Sequence, residues 1–109
     1  MPTKPRREDL QSISEIDRTI HAPARLMILV VLAIAESANF LFIMRQTGLT
    51  RGNLSSHMSK LENAEYIEIK KEFVDKIPRT LLYLTDKGRE AIQTYRENML
   101  QVLRDLPDK

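Results

Sequence analysis

Apolar residues recur at Leu10, Ile13, Ile16 and Ile20, in steps of three and four, and predict a first amphipathic helix over about 10–20 with charged residues on its other side. His21-Ala22-Pro23 interrupts that pattern. Proline fixes φ and is well tolerated in a first helical turn, so a second helix is expected to begin there. Its run R-L-M-I-L-V-V-L-A-I-A has no polar side, and Leu26 to Ala35 is expected to be a central core helix covered on most sides. Ser37-Ala38-Asn39 should end it. Asn39 is a good N-cap for a short helix over Phe40 to Thr47, Gly48 suits the residue just past that helix, and Thr50 can cap the next.

On the following helix, Arg51 to Asn63, the residues Leu54, Met58 and Leu61 stand at i, i+4 and i+7 and define a buried side. Gly52, Ser56, Ser59 and Asn63 lie nearly opposite, with Asn53, Ser55 and Lys60 on the flanks. This exposed surface is small, polar and nearly free of acid, unlike a helix built only for solubility. Tyr66 to Val74 alternates Ile67 and Ile69 with charges, and Thr80 to Thr85 is rich in strand formers, so the two predict a hairpin with Asp75-Lys76-Ile77-Pro78-Arg79 at its tip. Thr85 should cap a last helix over Asp86 to Leu106, about 32 Å long, with a stripe at Ile92, Tyr95, Met99, Val102 and Leu106.

The order short helix, Gly48-Leu49-Thr50 turn, polar helix and hairpin reads as a helix-turn-helix with a wing. The fold class expected is mainly α with a small β hairpin, with N- and C-terminal helices that pair two copies of the chain. Residues 1–9, with two prolines and three basic side chains, read as a flexible basic arm, residues 10–106 as a single domain and 107–109 as a tail.

Composition narrows the chemistry. The chain has 109 residues, 42% of them hydrophobic, enough for one compact domain and one modest core. Seventeen Lys and Arg against fifteen Asp and Glu leave only +2, so any polyanion must be held by placement rather than bulk charge. There is no cysteine, which excludes thiolate zinc sites and a thiol nucleophile and fits a reducing cytoplasm. No secretory segment follows Met1. The longest apolar run is ten residues, short of the roughly 20 that span a bilayer, so no membrane partner is expected. His21 and His57 are far apart and lack acidic neighbours at ligand spacing, so no metal or other cofactor is expected, and His57 reads as a bracing residue. No nucleophile stands beside a base, and no Gly-rich phosphate loop or paired carboxylate motif occurs, which argues against an enzyme.

The stretch G-L-T-R-G-N-L-S-S-H-M-S-K-L-E-N-A-E-Y-I-E-I, followed by K-I-P-R-T-L-L-Y-L-T-D-K-G-R-E-A, resembles the small winged-helix transcriptional regulators of the winged helix DNA-binding domain family, related to the MarR and ArsR types. The resemblance covers roughly residues 21–103. It implies a homodimeric DNA-binding regulator whose Arg51 to Asn63 helix enters the major groove. One position departs from the pattern: such proteins usually carry Gly where this chain has Glu65, so Asn63 is expected to take the helix-ending turn instead.

On this reading Arg51 and Asn53 suit guanine and adenine edges, Ser55, Ser56 and Ser59 suit base or phosphate, and Lys60 suits backbone. Lys76 and Arg79 of the wing, residues 67–85, would meet phosphate. Leu10, Ile13, Ile16, Ile92, Tyr95, Met99, Val102 and Leu106 would pair the two copies over a palindromic duplex site. The alternative is a winged helix used as a protein-interaction module without DNA specificity. A small apolar effector between the dimer helices is left open, and no residue names one.

Overall fold

The structure, a computed structural model, describes residues 13–108. The basic arm over residues 1–9 and Leu10 therefore lie outside the described residues. From Pro23 onward four helices and three strands follow in the order α1 (Pro23–Ala35), β1 (Ser37–Asn39), α2 (Phe40–Thr47), α3 (Arg51–Asn63), β2 (Ile67–Val74), β3 (Ile77–Leu84) and α4 (Asp86–Asp105). The result is a winged helix, mainly α with a hairpin wing.

The expected caps form as side-chain hydrogen bonds. Asn39 accepts from the Phe42 amide at 2.8 Å, Thr50 from the Asn53 amide at 3.2 Å and Thr85 from the Gly88 amide at 2.9 Å. Gly48 takes φ 72° and its N–H closes α2 on the Met44 carbonyl at 2.9 Å, a conformation open to glycine without a Cβ clash. Leu54, Met58 and Leu61 are buried against Ile28, Leu29 and Leu32 of α1, Ile43 of α2, Ile67 and Leu82 of the wing, and Ile20. Each such fully buried aliphatic side chain contributes about 1.5–3 kcal/mol.

Five expectations are corrected. The first helix does not continue to Ile20: Ile13 and Ser14 are helical, and residues 15–20 then turn. Asp17 causes the break, because its Oδ1 accepts from the Thr19 and Ile20 amides at 2.8 and 3.1 Å and so competes with helical bonding. The other carboxylate oxygen accepts from the Tyr66 hydroxyl. Burial, then that bond and the adjacent negative charge, push the Tyr66 phenol up to about 12.

Second, Ser37-Ala38-Asn39 is a strand as well as a helix ending. It pairs antiparallel with Leu81–Tyr83 and makes the hairpin a three-stranded sheet of order β1-β3-β2. Third, the tip is tighter than five residues. Asp75 (φ 52°) and Lys76 (φ 66°) alone form the turn, Val74 pairs with Ile77, and Pro78 and Arg79 belong to β3. Pro78 is tolerated there because β1 covers only residues 81–83 of β3, which leaves the opposite edge free at Pro78.

Fourth, α1 is not covered on most sides. Met27, Val30 and Ile34 are exposed, Ile34 at 81%. The fold places its other elements on the Ile28, Leu29 and Leu32 side only.

Fifth, Asn63 does not take the turn after α3. Glu65 does, at φ 65°, with its N–H on the Glu62 carbonyl at 2.9 Å and the Tyr66 N–H on the Leu61 carbonyl at 3.0 Å. This is the paired-bond helix ending that glycine normally occupies, completed by a residue that carries a Cβ. The same turn receives the start of α4: the Thr85 hydroxyl donates to the Glu65 carbonyl at 2.7 Å and the Thr85 amide to the Tyr66 carbonyl at 3.1 Å. Gly88 makes that approach possible, since a Cβ there would stand 2.2 Å from the Tyr66 carbonyl oxygen.

Two substitutions at this junction should move stability in opposite directions. Glu65→Gly relieves a left-handed non-glycine residue and should stabilise the fold by about 1 kcal/mol, a Tm rise of roughly 4–8 °C for a domain of this size. Gly88→Ala overpacks the junction and should cost about 1–3 kcal/mol or more. Thermal unfolding followed by circular dichroism checks both, and equal Tm values for the wild type and Gly88→Ala would contradict the close approach.

Candidate nucleic-acid interface

Arg51, Asn53, Ser55, Ser56, Ser59 and Lys60 are all exposed on α3. At about 100° per residue they do not share one face. Arg51, Ser55 and Ser59 form one flank, which Glu62 joins a turn beyond Ser59 without lining the cleft beside it, Gly52, Ser56 and Asn63 point away from the core, and Asn53 and Lys60 form the opposite flank. The helix thus offers a narrow ridge of small side chains between two flanks that each carry a cation.

The first flank meets the wing across a cleft of about 460 Å³, lined on the α3 side by Arg51, Ser55, Met58 and Ser59 and on the wing side by Ile69, Lys71, Pro78, Arg79 and Thr80. Asn39, Phe40 and Leu41 close its end, and no acidic residue lines it. The Arg51 guanidinium lies over the Phe40 ring, 5.2 Å from its centroid, which holds the cation at the cleft. Ser59 Oγ donates to the Ser55 carbonyl at 3.1 Å and keeps its acceptor capacity.

Lys71 is the cleft residue that sequence reasoning missed. Its signal was present: Ile67 and Ile69 face the core, and the period of two carries Lys71 and Phe73 onto the same sheet face. Glu68, Lys70 and Glu72 fall on the other face, where Tyr83 Oη donates to Glu72 at 3.1 Å and Lys70 Nζ lies 5.1 Å from the Tyr83 ring centroid. Two of the wing carboxylates are thereby set apart from the cleft. Arg79 borders the cleft from β3, although its cross-strand pairing with Glu72 puts it on the opposite sheet face from Lys71, and Lys76, in the turn with Asp75, does not line it.

The second flank borders a shallow hollow of about 410 Å³ lined by Arg18, Thr19, Arg25, Lys60, Asn63 and Ala64, again without an acid. Arg25 is held by three contacts: Nε donates to the Thr19 carbonyl at 2.5 Å, Nη2 to the Arg18 carbonyl at 3.3 Å, and Nη1 lies 3.2 Å from His57 Nδ1. An arginine can only donate, so His57 Nδ1 accepts and the imidazole proton sits on Nε2. Burial, then the charges of Arg25 and Lys60, hold the His57 pKa below its ordinary value. His57 braces α3 against α1. Arg18 and Arg25, on other elements than α3, carry no periodicity signal that would have singled them out.

A helix with basic clefts on both sides and a wing beside it is the geometry of a winged-helix reading head, and comparison with known proteins agrees. The family model described as winged helix DNA-binding domain matches residues 24–103. This chain belongs to the winged helix DNA-binding domain family.

The chain is 30% identical over 89 residues to an uncharacterized protein of Methanocaldococcus jannaschii, covering 82% of this chain and 97% of that one. The structure of a transcriptional regulator homologue from Pyrococcus horikoshii OT3 superposes with a TM-score of 0.80 at 31% identity, over 89% of this chain and 95% of the other. A MarR-family transcriptional regulator from Silicibacter pomeroyi shares the fold at 16% identity, TM-score 0.59, over 91% of this chain and 64% of its own. The family and fold are those of transcription regulators, and among the described residues no helix is long and apolar enough to cross a membrane.

The residues expected to pair two copies of this winged-helix regulator divide into two groups. Tyr95 is buried within the monomer, its hydroxyl 2.9 Å from His21 Nδ1, and Ile16, Ile92 and Met99 pack on the core around it. Val102 is half-buried, while Ile13 and Leu106 are exposed, together with Leu100 and Leu103, which the predicted stripe omitted.

The depressed His57 pKa has a signed consequence. Neutral His57 contributes stability above the ordinary histidine value of about 6.5, and that contribution is lost as pH falls below it toward the folded-state value. Urea titrations at pH 7.5 and 5.5 should therefore show a smaller acid loss in His57→Gln, which keeps an acceptor for Arg25, than in the wild type; identical losses would remove His57 as a titrating brace.

Proposed function

We propose that this chain is a sequence-specific DNA-binding transcriptional regulator acting as a homodimer, with α3 in the major groove and the wing on the phosphate backbone. The observation that carries the reading is the placement of cations on both sides of α3. A helix about 10–12 Å across nearly fills a major groove about 12 Å wide, so its two flanks face the two phosphate walls. Arg51 and Lys71 serve one wall and Arg18, Arg25 and Lys60 the other, with Arg79 at the edge of the wing. Between them Ser55, Ser56 and Ser59, with Asn53 and Arg51 at the entering end of the helix, meet base edges.

Pairing of two copies is supported by apolar surface that the monomer leaves uncovered. Met27, Val30 and Ile34 on α1, Leu100 and Leu103 on the last turns of α4 and Leu106 just past its end are each exposed by 41% or more. A second copy related by a two-fold axis would cover such surface and present two α3 helices to grooves about 34 Å apart, which calls for a palindromic site. A single head with a net charge of +2 has little reserve for binding alone.

Selection of bound duplexes from a random pool at physiological salt tests the reading, with enriched palindromes expected. On the enriched site Lys71→Ala and Lys76→Ala should each weaken binding and lower the log–log salt slope by about 0.9 per lost phosphate contact. Leu103→Glu should dissociate the dimer in sedimentation and weaken binding at the same time. No enrichment, combined with salt-independent capture of a protein partner, would instead assign the fold to protein interaction.

A further inference from the structure

Arg51 stands where a helix gains nothing from a cation. It is the first residue of α3, behind the cap Thr50, and the first turn holds no acid, so its charge meets the positive end of the helix dipole. Among the described residues no carboxylate forms a salt bridge with it. The contact it makes instead is aromatic: the guanidinium lies over the ring of Phe40, 5.2 Å from the centroid, on the neighbouring helix α2.

The geometry of a helix start explains why that contact matters. Side chains on a helix lean toward its N-terminus, so a long side chain in the first turn runs off the end, with no earlier turn of its own helix to lie along. Phe40 fills that place. It is the first residue of α2, only 9% exposed, and it belongs to the core; Asn39 just before it caps the helix and pairs with Leu81 in the sheet. A flexible side chain is thereby laid on a rigid one. Attraction to the face of a ring occupies no hydrogen-bond acceptor, so the five N–H donors of the guanidinium remain a fork for a planar pair of acceptors. Guanine O6 and N7 are such a pair in the major groove. No other side chain on this flank of α3 has a donor fork, since Ser55 and Ser59 offer hydroxyls and Glu62 is an acid.

We propose that Phe40 is a positioning residue for base readout: it holds Arg51 with its fork toward a guanine at the entering end of α3, and through Arg51 it sets the base preference at that one position. An unrestrained arginine gives up rotamer freedom on binding and can swing to a phosphate as readily as to a base. One already parked over a ring loses less freedom and has fewer alternatives, so more of its binding goes to the base edge. This inference rests on the DNA-binding reading above.

The test uses a selected duplex and its single base-pair replacements, titrated by fluorescence anisotropy. Arg51→Ala identifies the base pair, as the one at which discrimination falls. Phe40→Leu should lower the guanine preference at that same base pair by about two- to fivefold, the worth of a cation over an aromatic ring at a partly exposed site, and leave the other base pairs and the salt slope unchanged because no charge is removed. Phe40→Tyr keeps the ring and should keep the preference. In an Arg51→Ala background Phe40→Leu should alter no base preference. In the protein without DNA, the Arg51 Nε–H proton resonance should lie upfield from the ring current and return in Phe40→Leu. An unshifted Arg51 resonance in the wild type, equal weakening of Phe40→Leu on every sequence with the guanine preference intact, or the same loss of preference with and without Arg51 would each overturn the positioning role and leave the DNA reading standing. Failure of the wild type to bind any duplex would remove both, even with the ring-current shift present.

Discussion

Everything the winged helix presents to a partner is oriented by one close approach, that of the start of α4 to the turn ending α3. The Tyr66 carbonyl accepts from the Thr85 amide, and Gly88 lies so near that a Cβ would overlap the same oxygen. At that point α3 stops, β2 begins, β3 has ended and the terminal helix departs. Three directions are therefore set by a handful of backbone atoms. The Asp17 carboxylate ties the chain before α1 to the same place, through the Tyr66 hydroxyl. A change here would tilt α3, wing and terminal helix relative to one another.

Electrostatics in this molecule is a matter of segregation. A chain with nearly as many acids as bases can still present one sign if its local periods sort the charges. The pleat does part of this in the wing, sending Lys71 to the cleft face and Glu68 and Glu72 to the reverse, where Lys70 and Arg79 lie beside them. On α3 the helical period builds the ridge of Gly, Ser and Asn, while it returns Glu62 to the flank of Arg51 and Ser55. Arg25 shows the cost of such sorting: it braces α1 to α3 through His57, whose pKa burial and then the charges of Arg25 and Lys60 hold below its ordinary value. The positive flank and the structural brace are the same side chain.

Much of this was legible in the sequence, and what was not has physical reasons. The three caps, the Gly48 turn and the buried Leu54, Met58 and Leu61 are local features, decided within one turn of helix, and local patterns report them well. Strand β1 is three residues of Ser, Ala and Asn with no strand propensity; it exists because β3 offers free backbone groups, a long-range fact. The stripe at Ile13, Ile16 and Ile20 is periodic, yet Asp17 within it captures the backbone and ends the helix. Lys71 was missed because a lysine among charged neighbours looks like surface until the pleat is followed two residues past Ile69. Tyr95, taken for a surface pairing residue, is inside the monomer because the terminal helix first packs against α1 and only its last turns run free.

Four non-glycine residues of the described chain have positive φ: Glu36, Glu65, Asp75 and Lys76. Each costs on the order of 1 kcal/mol relative to a residue without a Cβ, although glycine would in turn give the unfolded chain more freedom. Three of the four lie at the ends of the wing, one at its base and two forming its tip. A two-residue turn of this kind is most comfortable with Asn-Gly. Asp-Lys forms it here at the expense of stability, and in return the tip carries an ammonium that glycine could not supply. Strain held where a side chain is needed and absent along the β2–β3 ladder itself is the pattern of a wing shaped for contact rather than for its own folding.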